Sequence, residues 1–293
     1  MILVIKNADY SAKNLGKVEV KRVLNQFTLA AIEASGNTSM TAEQKSALDT
    51  FFQNVGAFGS TNSIWSKLDK VYIPFLCSSL SNACINYKTN KSDKELSAER
   101  YTLRNKGVTG VIESPANYTE SNISDIHVID SSSLTIAAML MEDDESLTDP
   151  SYLMTYNGNS KNNRFNCNIQ KTGGGAALFS LSYITPGDSV NNNIANDYPP
   201  KKHSLFGIAI RSANDYSKIT KESVVDITDE LSYISNTGND TGVSNYGIFT
   251  QAILRANSSK SPSVGLLIIG KGLTHEDAVT LKSATETLVK FFT

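Results

Sequence analysis

The chain has 293 residues, 40% of them hydrophobic and 19% charged, with 27 Lys and Arg against 29 Asp and Glu and a formal net charge of -2. This composition is globular, and the length can bury one large core with a small companion unit. With no basic excess to neutralise phosphates or meet an anionic lipid surface, neither nucleic acid nor membrane is expected as a partner.

In chain order, residues 1–36 read as an N-terminal docking segment. It opens with the apolar run Ile2-Leu3-Val4-Ile5, followed by the polar loop Asn7-Ala8-Asp9-Tyr10-Ser11. The run is too short for a signal-peptide core, and no stretch approaches the ~20 apolar residues of a membrane span. The protein is therefore expected to be made and folded inside a cell. The tip itself is either an edge strand of its own domain or a strand donated to a neighbour. Val20, Val23, Leu24, Phe27, Ala30, Ala31 and Ala34 then recur at three- and four-residue spacing, predicting a helix over Val18–Ser35.

Residues 37–74 read as a helical linker region. Thr41-Ala42-Glu43-Gln44 has the form of a capping box, Leu48, Phe51, Phe52 and Val55 make one apolar face, and Gly56 is a stop signal. Ile64, Trp65, Leu68 and Val71 repeat the helical spacing in a second segment, expected to end before Pro74. Trp65 is expected to pack this region onto the β-rich remainder of the chain.

Residues 75–293 change character. Short apolar or alternating runs are separated by Asn, Gly, Ser and Asp clusters. They include Gly110-Val111-Ile112, His127-Val128-Ile129, Leu134 to Leu140, Ala176 to Tyr183, Leu205 to Ile210, Tyr246 to Phe249 and Val264 to Ile269. Many short strands with polar turns and almost no helical periodicity between them predict an antiparallel sandwich or barrel. A last helix is predicted after Thr274-His275-Glu276-Asp277, with Ala278, Leu281, Ala284, Leu288 and Phe292 along one face.

Chemistry-bearing clusters are sparse. Cys77, Cys84 and Cys167 lack metal-like spacing and read as buried thiols, so no metal site is expected. Paired carboxylates for glycoside hydrolysis would have to share a strand face, which Asp125, His127 and Asp130 do not. Asp226 and Glu230 do if the segment is extended, but with Ile227 facing inward beside Asp229 the pattern does not suit a site. Glu142-Asp143-Asp144-Glu145 with Asp149 reads as a solvated loop in preference to a calcium site. Gly173-Gly174-Gly175 reads as a turn, since no Lys-Ser/Thr follows it. His127, His203 and His275 are scattered, the last exposed in the first turn of the final helix. No catalytic residue and no cofactor is expected. The Asn-rich stretches are open to two readings: Asn157 to Asn168, Asn191 to Asn193 and Asn236 to Asn245 suit turns, and their amides also suit hydroxyl-rich glycans. Asn159, Asn162 and Asn163 are the glycan-binding candidates.

Several of these segments, in this order, resemble a family of tailed-bacteriophage and prophage virion proteins that carry a concanavalin A-like (laminin-G-like) jelly roll. The resemblance rests on Thr41 to Leu48, on Ile64-Trp65-Ser66-Lys67-Leu68-Asp69-Lys70-Val71-Tyr72-Ile73-Pro74, on Asn86-Tyr87-Lys88, on Lys106 to Gly110 in the hairpin from Tyr101 to Ile112, and on Ile269 to Thr274 before the last helix. It is collinear over about residues 38–293, and the Trp65-to-Pro74 segment is its most specific part. The extra Ile73 departs from the family's aromatic–proline step and bears on the local turn.

The resemblance implies a mainly β chain: a jelly-roll (concanavalin A-like) antiparallel β-sandwich with a small N-terminal helical region and a C-terminal helix. It also implies a non-enzymatic virion role, as a head or tail fibre or decoration component made in the bacterial host cytoplasm. Such a protein would dock on other virion proteins of the capsid or tail through its N-terminus (Ile2, Leu3, Val4, Ile5 and Tyr10) and would form a homo-oligomer. A tail adhesin reading host surface glycans is the first alternative, and a glycan-cleaving hydrolase the second.

Overall fold

A computed structural model of the protein describes residues 23–92, 101–110, 133–142, 151–157, 164–171, 177–184, 192–195, 201–212, 215–228, 245–248 and 263–293. The chain is mainly antiparallel β-sheet, with a small N-terminal helical region and one C-terminal helix.

Helix α1 (Gln26–Ser35) begins later than the expected Val18. Asn25 is extended: its side chain accepts from Phe27 N at 2.9 Å, and its own N–H donates to Asp49 Oδ1 at 2.9 Å. Thr28 Oγ1 donates to the same carboxylate oxygen at 2.7 Å, so a buried acid from the next helix fixes the start of α1. Helix α2 (Ala42–Asn54) carries the predicted capping box, with Gln44 N donating to Thr41 Oγ1 at 3.2 Å and Thr41 N to Gln44 Oε1 at 2.9 Å. The helical spacing from Ile64 misleads beyond one turn. Helix α3 (Ile64–Lys67) gives way to strand β1 (Leu68–Tyr72), because these residues pair with a distant strand. Ladder hydrogen bonds there outweigh a local periodicity that fits either state.

After β1 come β2 (Ile85–Asn86), β3 (Lys91–Ser92), β4 (Tyr101–Arg104), β5 (Gly107–Gly110), β6 (Leu134–Leu140), β7 (Ser151–Asn157), β8 (Arg164–Lys171) and β9 (Ala177–Ile184). Then follow β10 (Asn192–Ala195), β11 (Leu205–Ser212), β12 (Asp215–Ile219), β13 (Val224–Ile227), β14 (Asn245–Ile248) and β15 (Val264–Gly270). Helix α4 (His275–Val289) closes the chain behind its own capping box, Thr274 with Asp277. Among the described residues, ten strands form one sheet in the order β13-β12-β11-β6-β15-β1-β2-β3, with the β4–β5 hairpin joined to β15. Five more form a second sheet in the order β10-β9-β8-β7-β14.

The central strands of the first sheet are buried on both faces. On one face Ala137, Met139, Leu266, Ile268 and Leu205 join a core with Leu48, Phe51, Phe52, Leu281 and Leu288 of the helices. The residues between them, such as Ile136, Ala138, Phe206, Ile208, Leu267 and Ile269, are buried on the other face. This explains why β6, β11 and β15 read as continuous apolar runs instead of alternating ones.

Two glycines permit the close packing around β11. A Cβ on Gly207, whose φ is 155°, would stand 2.1 Å from Ile136 O, and one on Gly272 would stand 2.1 Å from Ile210 O. Backbone on both sides leaves no flexible atom to yield. Gly207→Ala is therefore expected to lower stability by about 3 kcal/mol. Urea denaturation would read this as a lower midpoint, and an unchanged midpoint would contradict the packing described.

Candidate functional site

The docking candidates Ile2, Leu3, Val4, Ile5 and Tyr10 and the glycan candidates Asn159, Asn162 and Asn163 lie outside the described residues, as do Asp125, His127, Asp130, Glu230, residues 143–149 and Gly173 to Gly175. The other singled-out residues are placed, and most of them hold the fold together. Trp65 is buried against Phe27 and Phe52, with ring centroids 5.5 Å away in both pairs, and Lys88 lies 5.0 Å over its ring. The Lys88 ammonium also donates to Trp65 O, and burial pulls its pKa down against the opposing pull of Asp69. Glu142, first of the acid run, takes Arg104 in a two-pronged pair, with Nε at 2.7 Å.

Asp226 is the one member of the suggested carboxylate pair that can be placed. It lies on β13 beside β12, where Ser217 Oγ donates to it at 2.9 Å and Arg211 Nη2 at 2.5 Å. Arg211 Nε donates to Asp215 at 2.9 Å, and its Nη1 to Ser217 Oγ at 2.8 Å and to Leu273 O at 3.1 Å. The guanidinium thus ties β11, β12 and β13 to the segment entering α4. Its hydrogen bonds hold both carboxyls below the usual range. A carboxyl so held keeps its charge, so Asp226 is suited to pairing and not to donating a proton. His275 is half-buried, contrary to the exposed position expected, because the start of α4 sits close to β13. Its Nδ1 is 3.9 Å from Asp226 Oδ1 without a hydrogen-bond partner.

A second polar knot fastens the other half of α4. The buried Lys282 donates to Ser204 Oγ at 2.9 Å, Leu205 O at 3.2 Å and Lys221 O at 3.3 Å, and pairs with Glu286 one turn on. Glu286 in turn accepts from Ser204 Oγ at 2.6 Å and Leu205 N at 3.0 Å. Segments distant in sequence meet on this same helical side. Lys67 pairs with Asp277, Gln44 Nε2 donates to Phe291 O at 2.9 Å, and Lys106 donates to Phe292 O. Between α2 and α4 runs a groove of about 670 Å³, lined by Leu24, Ala47, Phe51, Ala284, Leu288 and Phe291 among others. Of the two described cysteines Cys84 is buried and Cys77 partly so: the Cys77 thiol lies 3.1 Å from Asn82 O, and desolvation pushes its pKa up to about 12.

The five-stranded sheet takes in part of the asparagine-rich sequence. Asn157 to Asn168 is not all loop, since Asn157 ends β7 and Asn166 and Asn168 lie within β8. The signal that marks the strand is the period of two in Arg164, Asn166, Asn168 and Gln170, interleaved with Phe165, Cys167 and Ile169.

No family model matches this chain, and no curated protein matches it at a significant level.

Two outcomes are expected from the knots on α4. Glu286→Ala leaves the Lys282 ammonium buried without its counter-charge and is expected to remove about 3 kcal/mol, with Glu286→Gln removing less; denaturant midpoints would show the ranking. At the Arg211 knot the folded-state pKa values of Asp215 and Asp226 lie below 3.8, the ordinary value. Their contribution is complete above that value and disappears as pH falls through the folded pKa values. Arg211→Ala should therefore cut stability more at pH 6 than at pH 3; an equal loss at both would exclude a charge-based knot.

Proposed function

We propose that the protein is a non-enzymatic structural component of a tailed-phage particle, of head or tail, whose two sheets stack as a jelly-roll (concanavalin A-like) sandwich. Burial in the first sheet supports the stacking: the sheet has a second buried face beyond the one the helices cover. A second sheet packed face to face at the usual spacing of about 10 Å would account for it.

One observation carries the particle reading. The segments that resemble the virion family, distant in sequence, hold the helical side together: Gln44, Lys67 and Lys106 clamp α4 through Phe291 O, Asp277 and Phe292 O, while Lys88 lies over Trp65. Motif residues tied up in holding a chain together mark a scaffold. Five of the described carboxylates, Glu142, Asp215, Asp226, Asp277 and Glu286, are likewise spent on cations within the chain. Residues 1–22 lead into Leu24, which lines the α2–α4 groove, so an N-terminal docking segment would be anchored on the clamped side. On this reading Ile2 to Ile5 and Tyr10 engage neighbouring virion proteins, and copies of the chain associate on the particle.

Deleting residues 1–17 is expected to leave circular dichroism and the thermal midpoint unchanged while abolishing incorporation into particles, scored by immunoblot of purified virions. Normal incorporation of the truncated chain would defeat the docking role.

A further inference from the structure

We propose that the groove between α2 and α4 is the seat of residues 18–22 of this same chain, with the Val20 side chain in it, and that this seat fixes where residues 1–17 leave the fold. The proposal stands independently of the particle reading, because it concerns the purified protein.

The groove is apolar and roomy. Its walls include Ala47 and Phe51 of α2 and Ala284, Leu288 and Phe291 of α4 and the turn after it. Its volume of about 670 Å³ is many times the roughly 30 Å³ that one water occupies, and apolar walls give water few partners. Phe291 is left 46% exposed. Such a surface gains free energy when it is covered.

Where the described chain starts says what covers it. Leu24 lines the groove, whereas Val23 is 72% exposed. Neighbouring side chains thus already point to opposite sides, as in an extended segment, and Asn25 is extended as well, with φ -64° and ψ 146°. Immediately upstream stands Lys17-Val18-Glu19-Val20-Lys21, an alternation of charged and apolar residues. Carried back from Leu24, the same alternation puts Val20 and Val18 on the groove side and Lys17, Glu19 and Lys21 in water. Arg22 shares the groove side, where its aliphatic stem can lie along the wall with its charge at the rim beside Glu43. The length agrees. Asn25 N donates to Asp49, so Leu24 enters the groove partway along α2. From there at most about 10 Å of wall leads to Ala42 or Asn54, which an extended chain covers in about three or four residues. Val20 stands at that reach.

Other occupants fit less well. To return to the groove, the tip Ile2 to Ile5 would have to close a loop of about twenty residues, a cost Val20 escapes because Leu24 already sits there. A second copy of the chain would lose translational and rotational freedom to reach the same place.

The test measures thiol labelling by a water-soluble maleimide in the full-length protein, with peptide mapping to separate the introduced thiol from Cys77, Cys84 and Cys167. Val20→Cys is expected to label about ten-fold more slowly than Glu19→Cys, whose side chain faces water. Adding Thr287→Trp, which fills the groove from an exposed position of α4, should bring the Val20→Cys rate up to that of Glu19→Cys and leave the latter unchanged. Asn54→Trp, from the opposite wall, should do the same and covers the case in which Thr287→Trp fails to fold. Equal labelling at positions 19 and 20 in the unfilled groove would overturn the proposal, as would slow labelling at position 20 that survives a filled groove. Slow labelling that disappears on dilution together with a dimer would also overturn it, since a second copy then supplies the segment.

Discussion

The pairing of β1 with β15 is the constraint on which the helical half of the molecule depends. It sets Leu68 against Gly270 and Tyr72 against Leu267, and the hydrogen bond from Lys271 N to Lys67 O at 2.9 Å continues it outward. Once these segments are side by side, α3 and α4 emerge from the same end of two neighbouring strands, and Lys67 reaches Asp277. The apolar faces of α2 and α4 then close over the same stretch of sheet, burying Leu48, Phe52, Leu281 and Leu288 together. Burial of these side chains, each worth about 1.5–3 kcal/mol, supplies the stabilisation, while the polar knots decide where along the sheet the helix sits.

The charged residues are distributed to match. Arg211 and Lys282 each gather carboxylates, hydroxyls and backbone carbonyls around α4, one near its start and one in its second half. A cation with all its donors used tolerates only one position of its neighbours, so the two knots set the helix in register as well as in place.

What the sequence discloses depends on how local the deciding physics is. The capping boxes at Thr41 and Thr274 are readable because the residues that satisfy each other lie three apart. The runs at Leu134, Leu205 and Val264 are readable as strands because their length and apolar content suit nothing else of that size. The segment after Trp65 misleads because Ile64, Trp65, Leu68 and Val71 satisfy a helical period, and only the partner strand at the other end of the chain makes it extended. The Arg211 knot joins three strands with the segment before α4, and no spacing within a single strand announces it. Strand β8 is half visible: its period of two can be seen in the sequence, but its pairing with β7 and β9 and the irregularity in β7 require the register.

The β1–β15 contact also imposes an order on biogenesis. A ribosome releases the segment around Tyr72 long before the one around Leu267, so the nascent chain carries an unpaired strand and a bare apolar helix throughout most of translation. High contact order of this kind slows folding, and the waiting edge invites misassociation with other nascent chains. Consolidation of the helical side must therefore wait until β15 has been made, and any factor that shields nascent strands in the producing cell would raise the yield of native protein more than it raises the native state's stability.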